Sequence, residues 1–282
     1  MAKKATAVMT EKNSNSSETA VKVKGTHLFA INAEKFGDFL TKLSGRNLPH
    51  IVLILNKDGI WVKQGCELKS RFIFGNIERQ ILPEWSVETE TVEIPIGFID
   101  RFRNVVKTFS GTIVVSQDGE NLVLQDATKK FTYILVTREA IKNVTALDAE
   151  LAFMNEENIM AASDIPLDFL TGISKTFGLT DAKNLKIAFS DSGVIASVTE
   201  KNTHGMEMTN AATPTVLKKE VFAVYDGASF KEVVERLNVS PLSLQIVQNA
   251  SGLKLLGFIE KSNSVAFSNY LAPMVGVDSE SE

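Results

Sequence analysis

Nine cationic side chains recur on four stretches of this 282-residue chain, and contact with phosphate is the chemistry such side chains do best. Lys35, Lys42 and Arg46 lie in the first stretch and Arg101, Arg103 and Lys107 in the second. Lys175 lies in the third, and Lys231 and Arg236 in the fourth. Each stretch interleaves its cations with apolar residues at helical spacing, so a helix there buries one side and shows its charge on the other. The four stretches also hold six acids, which leaves them at +3 in a chain whose total is −4. Positive charge is therefore concentrated where helices are expected, although a solvated face of mixed charge would read the same way. None of the four gathers Asn, Gln and Arg at its start, as a base-reading helix does. The contact expected of them is independent of sequence and weakened by salt.

Catalytic chemistry has no comparable support. His27, His50 and His204 are scattered, and Cys66 has no second cysteine at metal-ligand or redox spacing, so no metal site is expected. There is neither a Walker loop nor a GxGxxG turn, so no nucleotide or other cofactor is expected, and the chain reads as a non-enzyme. A single cysteine excludes an internal disulfide framework and suits a reducing compartment, cytoplasmic or nuclear. No apolar run approaches the roughly 20 residues of a membrane span, so no membrane is expected as partner.

The cations need elements to hold them, and those elements come four times over. Residues 1–24 are small and polar and read as a flexible tail. From His27 a strand leads to Asn32, a good helix N-cap, and to a helix over 34–45 with Phe36, Phe39, Leu40 and Leu43 on one face. Strands at 51–55, 60–64 and 69–75 follow, the first two joined through Asp58-Gly59, a strong hairpin signal. The plan recurs with a strand at 92–96, a helix over 97–109 facing inward through Phe98, Phe102, Val105 and Phe109, and strands at 112–117, 121–126 and 131–137. Beyond residue 158 it recurs twice more. One helix follows Pro166, with Phe169, Leu170, Ile173 and Phe177 inward, and another is capped by a box over Ser229–Glu232. Phe-Leu-Thr at 39–41 and again at 169–171, each ahead of an Asp-containing turn ending in Gly, shows the duplication in letters. The expected fold class is α+β: duplicated domains with antiparallel sheets on one side and four helices on the other. The expected boundaries are 25–137 and 159–275 for the domains, 138–158 for a connector and 276–282 for an acidic tail.

At this point the letters resemble a known family. Asn269-Tyr270-Leu271-Ala272-Pro273, closing the last strand ahead of an acidic tail, is similar to the C-terminal end of DNA sliding clamps of the PCNA type. Leu147-Asp148-Ala149-Glu150 with 151–157 resembles the connecting loop of that family, and Val239-Ser240-Pro241-Leu242 the entry to one of its late strands. The resemblance implies a ring, a homotrimer for chains of two domains, that encircles duplex DNA, is opened by a clamp loader and holds DNA polymerase and other enzymes on the template. It implies that the nine cations face DNA. It implies a partner pocket built from Leu151, Phe153, Met154, Pro241, Tyr270, Leu271, Ala272 and Pro273. Subunits would pair through the strands at 131–137 and 205–211, placing Phe131, Tyr133, Leu135, Met206 and Met208 at the interface. A checkpoint-type subunit of a mixed ring and a monomeric processivity factor remain the alternatives. Residues 76–91, with Pro83 and Trp85, match nothing in the resemblance.

Overall fold

The structure is a computed structural model, and it describes residues 25–45, 48–66, 70–141, 155–177, 179–180, 182–199, 205–248, 252–261 and 265–274. The first half runs β1 (Thr26–Asn32), α1 (Ala33–Leu43), β2 (Ile51–Asn56), β3 (Gly59–Gly65), β4 (Arg71–Glu78), β5 (Glu84–Trp85), β6 (Val92–Ile96), α2 (Ile99–Val106), β7 (Thr112–Asp118), β8 (Asn121–Gln125) and β9 (Lys130–Ile134). The second half runs β10 (Ile159–Ile165), α3 (Leu167–Thr176), β11 (Asn184–Ser190), β12 (Gly193–Thr199), β13 (Met206–Asn210), β14 (Val216–Leu217), β15 (Val221–Asp226), α4 (Gly227–Val234), β16 (Leu242–Gln248), β17 (Lys254–Lys261) and β18 (Val265–Leu271).

The repeat is visible in backbone detail as well as in order. Gly59 opens β3 at φ +131°, and Gly193 opens β12 at φ +125°. A Cβ on either would stand 2.1 Å from a carbonyl oxygen of the adjoining strand's end, Ile77 in one case and Asn210 in the other. Both turns therefore demand glycine for the same two reasons, a left-handed φ and a close backbone approach.

The strands form three antiparallel sheets. One has the order β5-β1-β7-β8-β9, and another the order β13-β12-β11-β15. The third has nine strands, β14-β10-β16-β17-β18-β4-β3-β2-β6, and belongs to both halves. Its seam is β18 against β4, in register from Val265↔Ile77 to Leu271↔Arg71. The four α-helices among the described residues pack in pairs, α1 on α2 and α3 on α4, over one face of these sheets. Phe29, Phe36, Phe102 and Tyr133 form a chain of edge-on rings with centroids 5.0–6.2 Å apart in the first half. Phe177, Phe230 and Phe258 form a similar chain of tilted rings in the second, 5.8–6.4 Å apart. Each buried ring contributes about 1.5–3 kcal/mol through the area it removes from water.

Three local expectations are corrected. The second helix starts at Ile99 instead of 97, and Phe98 ahead of it takes a left-handed φ of 53° and is 63% exposed. Its inward stripe is Ile99, Phe102 and Val106, with Phe109 just beyond, so the inward face is turned by one residue from the expected one. Gly97 ahead of it lies tight against Val136, where a Cβ would stand 2.6 Å from a methyl of that side chain. The cap of α4 is Asp226, whose carboxylate accepts from Ser229 N at 2.8 Å, so the box at Ser229 lies one turn too late. Residues 76–91 have a definite place: β4 extends to Glu78, Leu82 and Val87 are buried, and β5 pairs with β1 at Phe29↔Trp85.

Among the described residues two ion pairs cross between the halves. Lys42, in the last turn of α1, pairs with Glu260 of β17, whose other oxygen accepts from Asn238 N at 3.1 Å and Val239 N at 3.2 Å. Arg71 of β4 reaches Glu232 of α4 at 2.8 Å and donates from Nε to Asn269 Oδ1 at 3.1 Å. Burial pulls the Arg71 guanidinium down to about 10 despite the opposing pull of Glu232, so it remains charged at neutral pH. Lys42→Met should cost about 3 kcal/mol, because it leaves a buried carboxylate without its counter-charge. Glu260→Gln, which keeps an acceptor for the two N–H groups, should cost less. Urea unfolding curves measure both, and equal or negligible losses would contradict a paired, buried Lys42.

Candidate functional site

The helix layer presents its cations unequally. Lys35, Arg101, Lys107 and Lys175 are exposed, and none has a carboxylate within 4.0 Å among the described residues. The Lys107 stem crosses α1 at Gly37, where a Cβ would stand 3.2 Å from its Cγ, so α1 and α2 present their charge from one shared surface. Arg103 is half-buried between Asp100 and Ser44 Oγ, each at 2.9 Å. Lys231 stands 4.0 Å from Glu235, and Arg236 stands 3.4 Å from Glu232. Lys42 is a correction: it is 9% exposed, and its ammonium is committed to Glu260. Arg46 lies outside the described residues. Where α1 meets the second half, a cleft of about 370 Å³ opens between Lys35, Asp38, Asn238 and Phe267, its charges mixed.

The sequence pattern does not reveal Phe98. It stands exposed beside Arg101 in a second hollow of about 310 Å³, its ring edge-on to His50 with centroids 5.8 Å apart. A non-glycine residue at positive φ is the signal of such a place, and nothing in composition announces it.

The face of the nine-stranded sheet turned away from the helices carries a separate apolar cluster. Phe72, Val247, Leu255, Ile259 and Tyr270 form its centre, with Phe74, Ile159, Leu253 and Ala272 half-buried around them. Tyr270 lies edge-on to Phe74 at 6.0 Å, and its ring fills the space over Gly257. Burial pushes its phenol up to about 12, so it is neutral and able to donate at any physiological pH.

The expected pocket is therefore divided. Tyr270, Ala272 and half-buried Pro273 stand at this cluster or directly after it. Leu271 is corrected: it points to the opposite face and completes the main core at 1% exposure. Pro241 is corrected too. It precedes β16, whereas the strand position level with Leu271 is Ile246, five residues and about 16 Å along the ladder. Leu253, at the turn end of β17, stands where Pro241 is expected. Leu151, Phe153 and Met154 lie outside the described residues. Alternation along β4 could have revealed Phe72 and Phe74, because Ile73 and Ile77 between and beyond them face the core.

The strands expected to join subunits are sheet edges: β9 ends one sheet and β13 another. Phe131 is 38% exposed, Met206 46% and Ile134, which no sequence signal singles out, 73%. Tyr133 is corrected to a core residue, buried with its hydroxyl donating to Gly97 O. Leu135 packs against the core, and Met208 lies over Gly172 of α3, so both face inward. Among the described residues no three His, Cys, Asp or Glu side chains gather into a metal site, and no helix is long and apolar enough to cross a membrane.

No family model matches this sequence, and no curated protein matches it. Solved structures do match. The proliferating cellular nuclear antigen of Entamoeba histolytica superposes with a TM-score of 0.71 at 15% identity, over 89% of this chain and 100% of that one. The PCNA of A. fulgidus, in a structure with the C-terminal region of FEN-1 bound, superposes with a TM-score of 0.66 at 14% identity, over 91% of this chain and 100% of that one. Two similar halves, a sheet shared between them and four helices on one side are thus the architecture of the PCNA-type sliding clamp, and this chain has that fold.

Proposed function

We propose that this chain is a DNA sliding clamp, a ring of three copies that encircles duplex DNA without reading its sequence and tethers polymerase and other enzymes to it. The observation that carries this reading is the exposure of Lys35, Arg101, Lys107 and Lys175 on one helical layer in a chain that is acidic overall. Four cations without a carboxylate partner among the described residues attract a phosphate backbone and hold it loosely, which suits sliding. The ring is inferred from the edges. β9 and β13 are different strands with exposed apolar side chains, so one copy's β9 pairs with the next copy's β13, and head-to-tail pairing closes into a ring when the rotation allows. A closed ring needs a loader to open it. Partner enzymes would dock at the apolar cluster around Tyr270 and Ala272, on the side away from the DNA.

The combined variant Lys35→Ala, Arg101→Ala, Lys107→Ala and Lys175→Ala should keep its circular dichroism spectrum and bind random-sequence duplex DNA more weakly. The slope of log affinity against log salt should shrink by about 0.9 for each phosphate the variant no longer neutralises. Unchanged affinity and slope would remove the helix layer from DNA binding.

A further inference from the structure

On the face away from the helices, two ammonium groups share a single aromatic ring. Lys186 of β11 places Nζ 4.3 Å from the centroid of Phe222 on β15, and Lys254 at the start of β17 places Nζ 5.2 Å from it. Lys254 Nζ also donates to Phe222 O at 3.0 Å, which fixes the second ammonium against the strand. Lys186 alternates with the core residues Leu185 and Ile187, and Phe222 with Val221 and Ala223, so both point outward. Two like charges drawn to one ring repel each other, and here no carboxylate stands within 4.0 Å of either among the described residues. Asp226, the acid on the same strand, is occupied in capping α4 through Ser229 N and Oγ. An anion is what this arrangement lacks.

The patch is continuous with the apolar cluster around Tyr270 along two paths. Leu253 belongs to that cluster and Lys254 is its neighbour in the chain. Ala272 also belongs to it, and two residues on, Met274 N donates to Val224 O at 2.9 Å, with Val224 opposite Lys186 in register. Granted the reading of that cluster as a partner groove, we propose that the Lys186–Phe222–Lys254 patch selects partners whose docking segment carries acidic residues beside its apolar anchors. The apolar anchors enter at Tyr270, Phe74 and Leu253, and the acidic flank follows the C-terminal run to the two ammonium groups. Carboxylates on a peptide suit the patch better than a nucleic-acid backbone, because it lies on the opposite face from the cationic helices and beside a groove for side chains. Phe222 adds an apolar floor that a short acidic segment covers with its own methylenes.

Fluorescence anisotropy with labelled synthetic peptides tests this. The peptides share one Leu and two Phe anchors and differ only in a flank of Asp-Glu-Asp, Asn-Gln-Asn or Lys-Arg-Lys. The acidic flank should bind about three- to tenfold tighter than the neutral one, as two half-exposed charge pairs warrant, and the basic flank more weakly than either. The double variant Lys186→Gln with Lys254→Gln should remove that preference and leave the neutral peptide's affinity unchanged. Equal binding of all three flanks to the unaltered protein overturns the proposal while leaving the groove in place. Failure of every peptide to bind overturns the groove reading itself. A third variant, Asp278→Asn with Glu280→Gln and Glu282→Gln, tests whether the chain's own acids compete. A flank preference that persists or grows there supports the proposal, and one that exists only there assigns the patch to the chain's own tail and overturns it.

Discussion

Seven residues of β18 lie in register with seven of β4, and this one ladder turns two similar halves into a single body. Everything else of functional interest is placed relative to it. On the helix side, the seam brings α1 of the first half within reach of β17 of the second, and a buried lysine–glutamate pair closes that contact. Arg71, the terminal residue of the seam on β4, is held by Glu232 and Asn269 from the opposite half. Buried charges of this kind are costly to desolvate, and removing one partner leaves the other uncompensated in the core. A slip of one residue would turn Tyr270 into the core and Leu271 to the outside, and it would part Arg71 from Asn269.

The same ladder sets up the two outward surfaces. Because side chains alternate across the sheet, β18 sends Phe267 and Leu271 to the helices and Tyr270 to the far face, where Phe72 and Phe74 of β4 meet it. The apolar cluster outside is thus made jointly by both halves, the first supplying Phe72 and Phe74 and the second the rest. The seam also consumes the strand edges at the centre of the molecule. β9 and β13 each end one of the two smaller sheets, and both carry exposed apolar side chains. Edges that are exposed and apolar are a liability in a solitary protein and an asset in an assembly.

Much of the fold was legible because it rests on local signals repeated along the chain. The turns at Gly59 and Gly193, the Asn32 cap and the alternation of β11 and of most of β16 are each decided within a few residues. The nine-stranded sheet was not legible, since the pairing of β18 with β4 joins segments about 190 residues apart with no local trace. The site was read less well for the same reason. Lys42 sits at helical spacing with the other cations, and only the distant Glu260 makes it structural. Leu271 belongs to the letters that carried the resemblance, yet strand parity puts it in the core. Phe98 fits a helix stripe by periodicity alone, because periodicity does not register a left-handed residue one position before a helix.

The central claim is that β9 and β13 exist to pair with each other between copies. Light scattering on the purified chain at micromolar concentration, in low salt, measures this directly. The account predicts a discrete species of about three times the 30.9 kDa chain mass. A single-chain mass that persists as the concentration is raised would contradict it.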